Sequence, residues 1–154
     1  MTHATVRVPT PVNEPVLSYA PGTRERAELK AMLDKMAGER IDIPMVIGGK
    51  QVRTGRTGEA RVPHDHEHVL ATYHEGDASH VQAAVDAALA AKPAWAAMTF
   101  AQRAAIFLRA ADLLATRYRQ ILNASTMLNQ SKTANQAEID AACELADFFR
   151  FNVA

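Results

Sequence analysis

The residue that stands most clearly out of pattern is Glu138. It lies in "TANQAEIDAACELADFFRFN", residues 133–152, a stretch with helical spacing and apolar residues nearly all round. At about 100° per residue Glu138 falls between Ala142, Leu145 and Phe149, with Ala141 and Phe148 beside them. Asp140, Glu144, Asp147 and Arg150 occupy the far side as a solvated stripe of i to i+3 and i+4 neighbours. A carboxylate on an apolar face is costly to bury unless something pairs with it. Two readings follow. Either Glu138 sits near the helix start, where the dipole favours an anion and water is in reach, or it reaches a polar cavity or a cationic group.

Three further sets of residues have the types that chemistry needs. His64, His66 and His68 alternate, so a continuous strand would point all three one way, as a zinc site requires. Pro63 and Asp65 favour a turn instead, which breaks that alternation and leaves a solvated polar segment. Cys143, the single cysteine, excludes an intramolecular disulfide and a cysteine-based zinc centre. On the same wheel it lies about 140° from Glu138, in mid-helix and beside Glu144. Neither a helix N-terminus nor a cation is there to lower its pKa, so a small buried hydrophobe is expected. Arg103, Arg109, Arg117 and Arg119 lie on the flanks and far side of one helix with no interleaved aromatic residues. They read as a solvated face, or one that meets a partner subunit, rather than a nucleic-acid platform.

These residues need elements to carry them. Residues 1–22 contain four of the seven prolines and no hydrophobic period, and predict an extended arm. A short amphipathic helix follows over 23–39, with Thr23 as N-cap, Gly38 as stop, and Leu29, Met32, Leu33 and Met36 on one side. Short β-hairpins are expected over 43–73, one of them turning at Gly48-Gly49, with later runs at Ala60–Val62 and Val69–Tyr73. Three helices close the chain. The first spans 78–92, capped by Ser79 and Gln82, with Val81, Ala84, Val85, Ala88 and Leu89 on one face, and Pro93 ends or kinks it. The second spans 100–128, capped by Thr99 and Gln102, and the third spans 134–152.

The totals exclude some classes. With 17 basic against 17 acidic residues, bulk attraction to nucleic acid or anionic lipid is not indicated. No window approaches the roughly 20 apolar residues of a membrane helix. The start "MTHATVRVPTPVNEPV" has no apolar signal core and a single Arg, so a cytoplasmic protein is expected. "VIGGKQV" has adjacent glycines but not the spacing of a dinucleotide fingerprint.

"TMLNQSKTANQAEIDAACELADFFRFN", preceded by "RAAIFLRAADLLATRYRQILNAS", closely resembles the N-terminal region of the L-glutamate γ-semialdehyde (Δ1-pyrroline-5-carboxylate) dehydrogenases. These form a branch of the aldehyde dehydrogenase superfamily. The resemblance runs over residues 40–154. "QAEIDAACELADFFRFN" is specific to the branch, whereas "IPMVIGGKQV" and "AAVDAALAAKPAW" are common to many aldehyde dehydrogenases. One departure is "NQSKT", where relatives tend to have glycine near Asn129 and Ser131.

The resemblance implies an α/β fold of aldehyde dehydrogenase type, of which these residues would be the outer N-terminal layer. It implies NAD as cofactor, L-glutamate γ-semialdehyde as small-molecule substrate, and a homo-oligomer at full length. In the family a cysteine thiolate attacks the aldehyde, a hydride passes to NAD+, and a glutamate-activated water hydrolyses the thioester. Those groups and the NAD-binding strands are expected outside these 154 residues, and Cys143 does not match the nucleophile's motif. The chain alone is therefore expected to be inactive, as the front third of an enzyme in proline degradation. The resemblance further places the glutamate of "QAEIDAA", here Glu138, near the amino-acid end of the bound semialdehyde. A rival of another class is a non-enzymatic helical module that binds a partner protein. A third is metal binding through His64, His66 and His68.

Overall fold

The computed structural model describes residues 7–154; the first six residues of the expected arm lie outside them. Residues 7–22 form no regular element, as the prolines dictate, yet they do not stand free. Tyr19 is only 6% exposed and forms a core with Leu29 and Ala124, to which Leu17, Met32, Leu33, Met36 and Met127 add. Helix α1 (Arg24–Ala37) presents this apolar stripe to α4 (Arg119–Gln130), so the arm and α1 together clasp one helix. Thr23 does not cap α1 through its side chain; its hydroxyl donates to the Ala20 carbonyl instead.

Five short strands follow. Strands β2 (Met45–Ile47) and β3 (Lys50–Val52) pair antiparallel about Gly48 and Gly49, whose φ values of 57° and 76° demand glycine. Strands β4 (Thr57–Val62) and β5 (Asp65–His74) form a second hairpin, with register shifts on either side of Arg61. The expected polar turn through His64–His68 shrinks to Pro63-His64, and His66 and His68 fall within β5. Strand β1 (Ile41–Ile43), not foreseen from the sequence, pairs parallel with β5 and gives the order β1-β5-β4. Three residues are too few to show a period, which hid it.

Two expected helix boundaries are corrected. Helix α2 (Ala78–Ala97) runs through Pro93 instead of ending there. It buries no residue, so the carbonyl that Pro93 leaves without an N–H faces outward and costs little. Its box is Asp77 with His80, not Ser79 with Gln82. The single helix expected over 100–128 is two: α3 (Phe100–Ala115), capped by Thr99 and Gln102, and α4. At the break the Thr116 hydroxyl donates to Asp112 O, and Tyr118 N–H reaches five residues back to Leu113 O. No glycine or proline marks this point, and the apolar spacing survives it.

The last helix is continuous but changes pitch. It begins as α5 (Ala134–Ala137), capped by Thr133 and Gln136, widens to a π segment over Glu138–Cys143, and returns to α-helix in α6 (Glu144–Phe151). Glu144 N–H accordingly bonds Ile139 O, five residues back.

Candidate functional site

The π segment changes which residues share a face. The buried row is Ala137, Glu138, Ala142, Cys143 and Ala146, whereas Leu145 and Phe148, expected beside Glu138 on the apolar side, are 37% and 60% exposed. A wheel drawn at constant pitch cannot show this, because the wide turn re-phases everything after Glu138. Cys143, placed 140° away by that wheel, has its Sγ 3.8 Å from Glu138 Oε1. It is nonetheless the buried hydrophobe expected, 4% exposed. Burial and the adjoining carboxylate push its thiol up to about 11.

Glu138 itself is fully buried. Its Oε1 accepts from Leu17 N–H at 2.8 Å, and its Oε2 accepts from the Tyr19 hydroxyl at 2.8 Å and from Asn123 Nδ2 at 2.7 Å. Arg119 Nε lies 3.2 and 3.3 Å from the two oxygens, and Nη2 makes a further bond to Oε1. These donors fill the roughly four lone-pair positions of a carboxylate. Two come from the arm, one from α4 at Asn123, and the rest from Arg119 at the start of α4. Asn123 Nδ2 also donates to the Tyr19 oxygen at 2.8 Å. That leaves Asn123 Oδ1 as the one buried side-chain polar atom without a partner among the described residues.

The network extends outward along the arm. Arg119, expected on a solvated face, is 6% exposed. The break before α4 turns it inward, where its Nη1 pairs with Glu14 and its Nη2 donates to Pro15 O at 2.6 Å. The second oxygen of Glu14 takes Arg150 Nη1 at 2.8 Å. Asp147 accepts from Asn13 Nδ2 at 2.8 Å and from Glu14 N–H at 2.7 Å. Half of the expected solvated stripe is thus covered by the arm, while Asp140 and Glu144 stay exposed. Two carboxylates, Glu14 and Glu138, face two guanidiniums, Arg119 and Arg150, so no net charge is buried.

The electrostatics follow from these contacts. Burial acts to raise the Glu138 carboxyl, but Arg119, Leu17 N–H and the Tyr19 hydroxyl together outweigh it and hold it below the ordinary 4.5. Burial acts to lower the Arg119 guanidinium, and Glu138 and Glu14 more than reverse this. Burial first, then the neighbouring Glu138, push the Tyr19 hydroxyl up to about 12. At neutral pH the cluster is an ion pair with a neutral phenol.

The three histidines do not converge. His64 Nδ1 meets Ser131 Oγ at 2.7 Å, His66 Nε2 meets Pro63 O at 2.9 Å, and His68 Nε2 meets Ala37 O at 2.8 Å. No cluster of three or more metal-ligating side chains exists among the described residues. Nor is any described helix long and apolar enough to cross a membrane.

Sequence reasoning missed Tyr19, Asn123 and the inward turn of Arg119. Two signals were present: an aromatic residue in the proline-rich "PVLSYAPG", and an asparagine inside the apolar run "ILNAS". Open apolar surface lies elsewhere. A groove of about 440 Å³ is lined by Phe107, Leu145, Phe148, Phe149, Asn152 and Val153.

The family model described as "Aldehyde dehydrogenase family" matches residues 51–154. The Δ1-pyrroline-5-carboxylate dehydrogenase of Agaricus bisporus is 51% identical over 151 residues, covering 97% of this chain and 28% of that protein. The mitochondrial enzyme of that name from Homo sapiens is 44% identical over 140 residues, 91% of this chain and 25% of that one. The crystal structure of the Mycobacterium tuberculosis Δ-pyrroline-5-carboxylate dehydrogenase bound with NAD has a TM-score of 0.96 and 49% identity, covering 99% of this chain and 29% of that one. The chain therefore spans a little over a quarter of the length of the relatives it matches. The likeness reaches further toward the start than residue 40 and takes in the arm.

Proposed function

This chain belongs to the aldehyde dehydrogenase family, and on that premise we propose that it forms the N-terminal portion of an NAD-dependent L-glutamate γ-semialdehyde dehydrogenase. The whole enzyme would oxidise the semialdehyde derived from pyrroline-5-carboxylate to L-glutamate, in proline degradation. The observation that carries this reading is likeness along 97% of the chain to proteins of that name. The open faces support the idea of a portion that meets more protein. Val81, Val85 and Leu89 are 65%, 46% and 59% exposed on a helix that buries nothing. Homo-oligomerisation and a cytoplasmic location belong to the proposal. Some relatives are named as mitochondrial, and cell fractionation decides between the compartments.

The described residues do not themselves fit the dinucleotide. Gly48-Gly49 turns a β-hairpin rather than a strand-to-helix loop, and the one parallel pairing, β1 with β5, is three residues long. For Glu138 we propose a place at the amino-acid end of the substrate site. Its support is a buried ionised carboxylate of the right charge for an ammonium group. Its oxygens are already filled by the chain's own donors. The experiment is NADH formation by the full-length enzyme carrying this chain, with the semialdehyde and with simple aliphatic aldehydes. Strong preference for the semialdehyde is expected; equal or better use of the simple aldehydes would overturn the substrate assignment.

A further inference from the structure

We propose that the docked arm sets the register of the last helix, and through it the shape of an apolar groove that no arm residue lines. This role is independent of the substrate proposed above. Local and tertiary preferences conflict in this helix. At α pitch the row containing Glu138 would be Ala142, Leu145 and Phe149, a continuous apolar face suited to burial. The molecule instead buries Glu138 with Ala142, Cys143 and Ala146. The wide turn over Glu138–Cys143 makes that row, because closure five residues back sets Cys143 nearly beneath Glu138.

The arm touches both sides of the wide turn. At its start Leu17 N–H donates to Glu138 Oε1 at 2.8 Å. At its end Pro15 O lies 3.8 Å from Cys143 Sγ. Beyond it, Glu14 N–H and Asn13 Nδ2 donate to Asp147 at 2.7 and 2.8 Å, and Glu14 accepts from Arg150 Nη1 at 2.8 Å. The arm thus runs back from residue 17 to 13 as the helix advances through 138, 143, 147 and 150. In an unbroken α-helix positions 143, 147 and 150 would lie about 120–180° from 138, and one extended segment could not meet both sides. Helix α4 does not span the turn in this way. Among the described residues, its Arg119 and Asn123 side chains bond this helix at Glu138 and Cys143 alone. The small side chains of Ala142, Cys143 and Ala146 leave room for the arm. A return to α pitch would rotate α6 by one residue, about 100°. Leu145 and Phe149 would then enter the row now held by those small side chains. The Phe107–Phe149 ring contact, 5.7 Å between centroids, would be lost, and with it the groove that these residues line with Phe148 and Val153.

The test uses the full-length enzyme carrying this chain, in a cycle of two changes. Glu14→Ala with Leu17→Pro detaches the arm by removing the Glu14 carboxylate and the Leu17 amide donor. Deleting Asp140, an exposed residue of the wide turn, removes the extra residue from that turn. In the shortened helix Glu138, Cys143, Asp147 and Arg150 fall within about 80° of one another at α pitch, so the register no longer needs the arm. In the native-length helix, detaching the arm should speed amide exchange over residues 144–151 at least about tenfold, but in the shortened helix by no more than about twofold. An arm that merely covers the helix would speed exchange equally in both, and that result overturns the proposal. Crystal structures of the separate variants give a second reading if the combined one folds poorly. With the arm detached, Glu144 N–H should bond Asp140 O, four residues back, and Phe148 should turn by about 100°. A wide turn still closed on Ile139 O overturns the proposal. With Asp140 deleted, the helix should be α throughout and Asp147 and Arg150 should keep their bonds to Asn13 and Glu14; loss of those bonds also overturns it.

Discussion

Two regions of the molecule are built on opposite terms. The knot formed by the arm, the start of α4 and the π segment buries Glu138, Arg119 and Asn123 and leaves one side-chain oxygen without a partner. Helix α2, with twenty residues and an apolar stripe, buries nothing and leans on the rest mainly through β2. The first region supplies its own partners from three separated stretches of chain; the second displays surface that the described residues leave uncovered. The difference teaches that apolar periodicity marks a face that will be covered, but not by what. A buried charge, by contrast, is tolerable only when its partners are already on hand.

The contrast can be broken most strongly at Arg119. Arg119→Ala removes the cation that faces both Glu14 and Glu138, and uncompensated buried charge should cost about 3–5 kcal/mol in a urea melt. A loss below about 1 kcal/mol would mean that water enters the knot freely. Glu138→Gln should have a smaller effect at pH 7, with a distinct pH signature. The Glu138 pKa is lower in the folded chain than its ordinary 4.5, so its contribution is present above that value and lost as pH falls through the folded pKa. Melts recorded from pH 6 down should show a steeper acid loss in the native sequence than in Glu138→Gln.

At alkaline pH the sign reverses. Cys143 is raised from 9.0 to about 11, so the folded chain keeps a proton that the unfolded chain gives up. Stability should fall as pH rises through that interval, and Cys143→Ala should flatten the fall; parallel curves would place the thiol in water. The smallest effect belongs to the other region. Leu89→Lys on α2 should shift the stability of this chain by no more than about 0.5 kcal/mol, since that side chain is 59% exposed. A drop of 2 kcal/mol would show that α2 is packed after all.

Local chemistry made much of this legible. The Gly48-Gly49 turn and the Thr99–Gln102 box are local decisions, and each is written in adjacent residues. The out-of-pattern Glu138 was visible for the same reason: an apolar row exposes any charge within it. What could not be seen was pitch and distance. One wide turn beginning at Glu138 brought Cys143 beside it and turned Leu145 and Phe148 outward. An unmarked break at Thr116 rotated Arg119 from a solvated face into the knot. The donors at Leu17 and Tyr19 come from an arm whose prolines suggest only an extended chain, 119 or more residues away in sequence. No local rule reaches across such a distance, and the asparagine within "ILNAS" was the nearest hint that α4 had a polar partner.

The comparison between the two regions meets its most direct test in amide hydrogen exchange on the 154-residue chain. Leu17 N–H, bonded to the Glu138 carboxylate, should exchange only with global unfolding, while amides in the middle of α2 should exchange at least about a hundredfold faster through local opening. Equal protection of Leu17 and α2, or a Leu17 amide that exchanges at the rate of a free chain, would contradict the account.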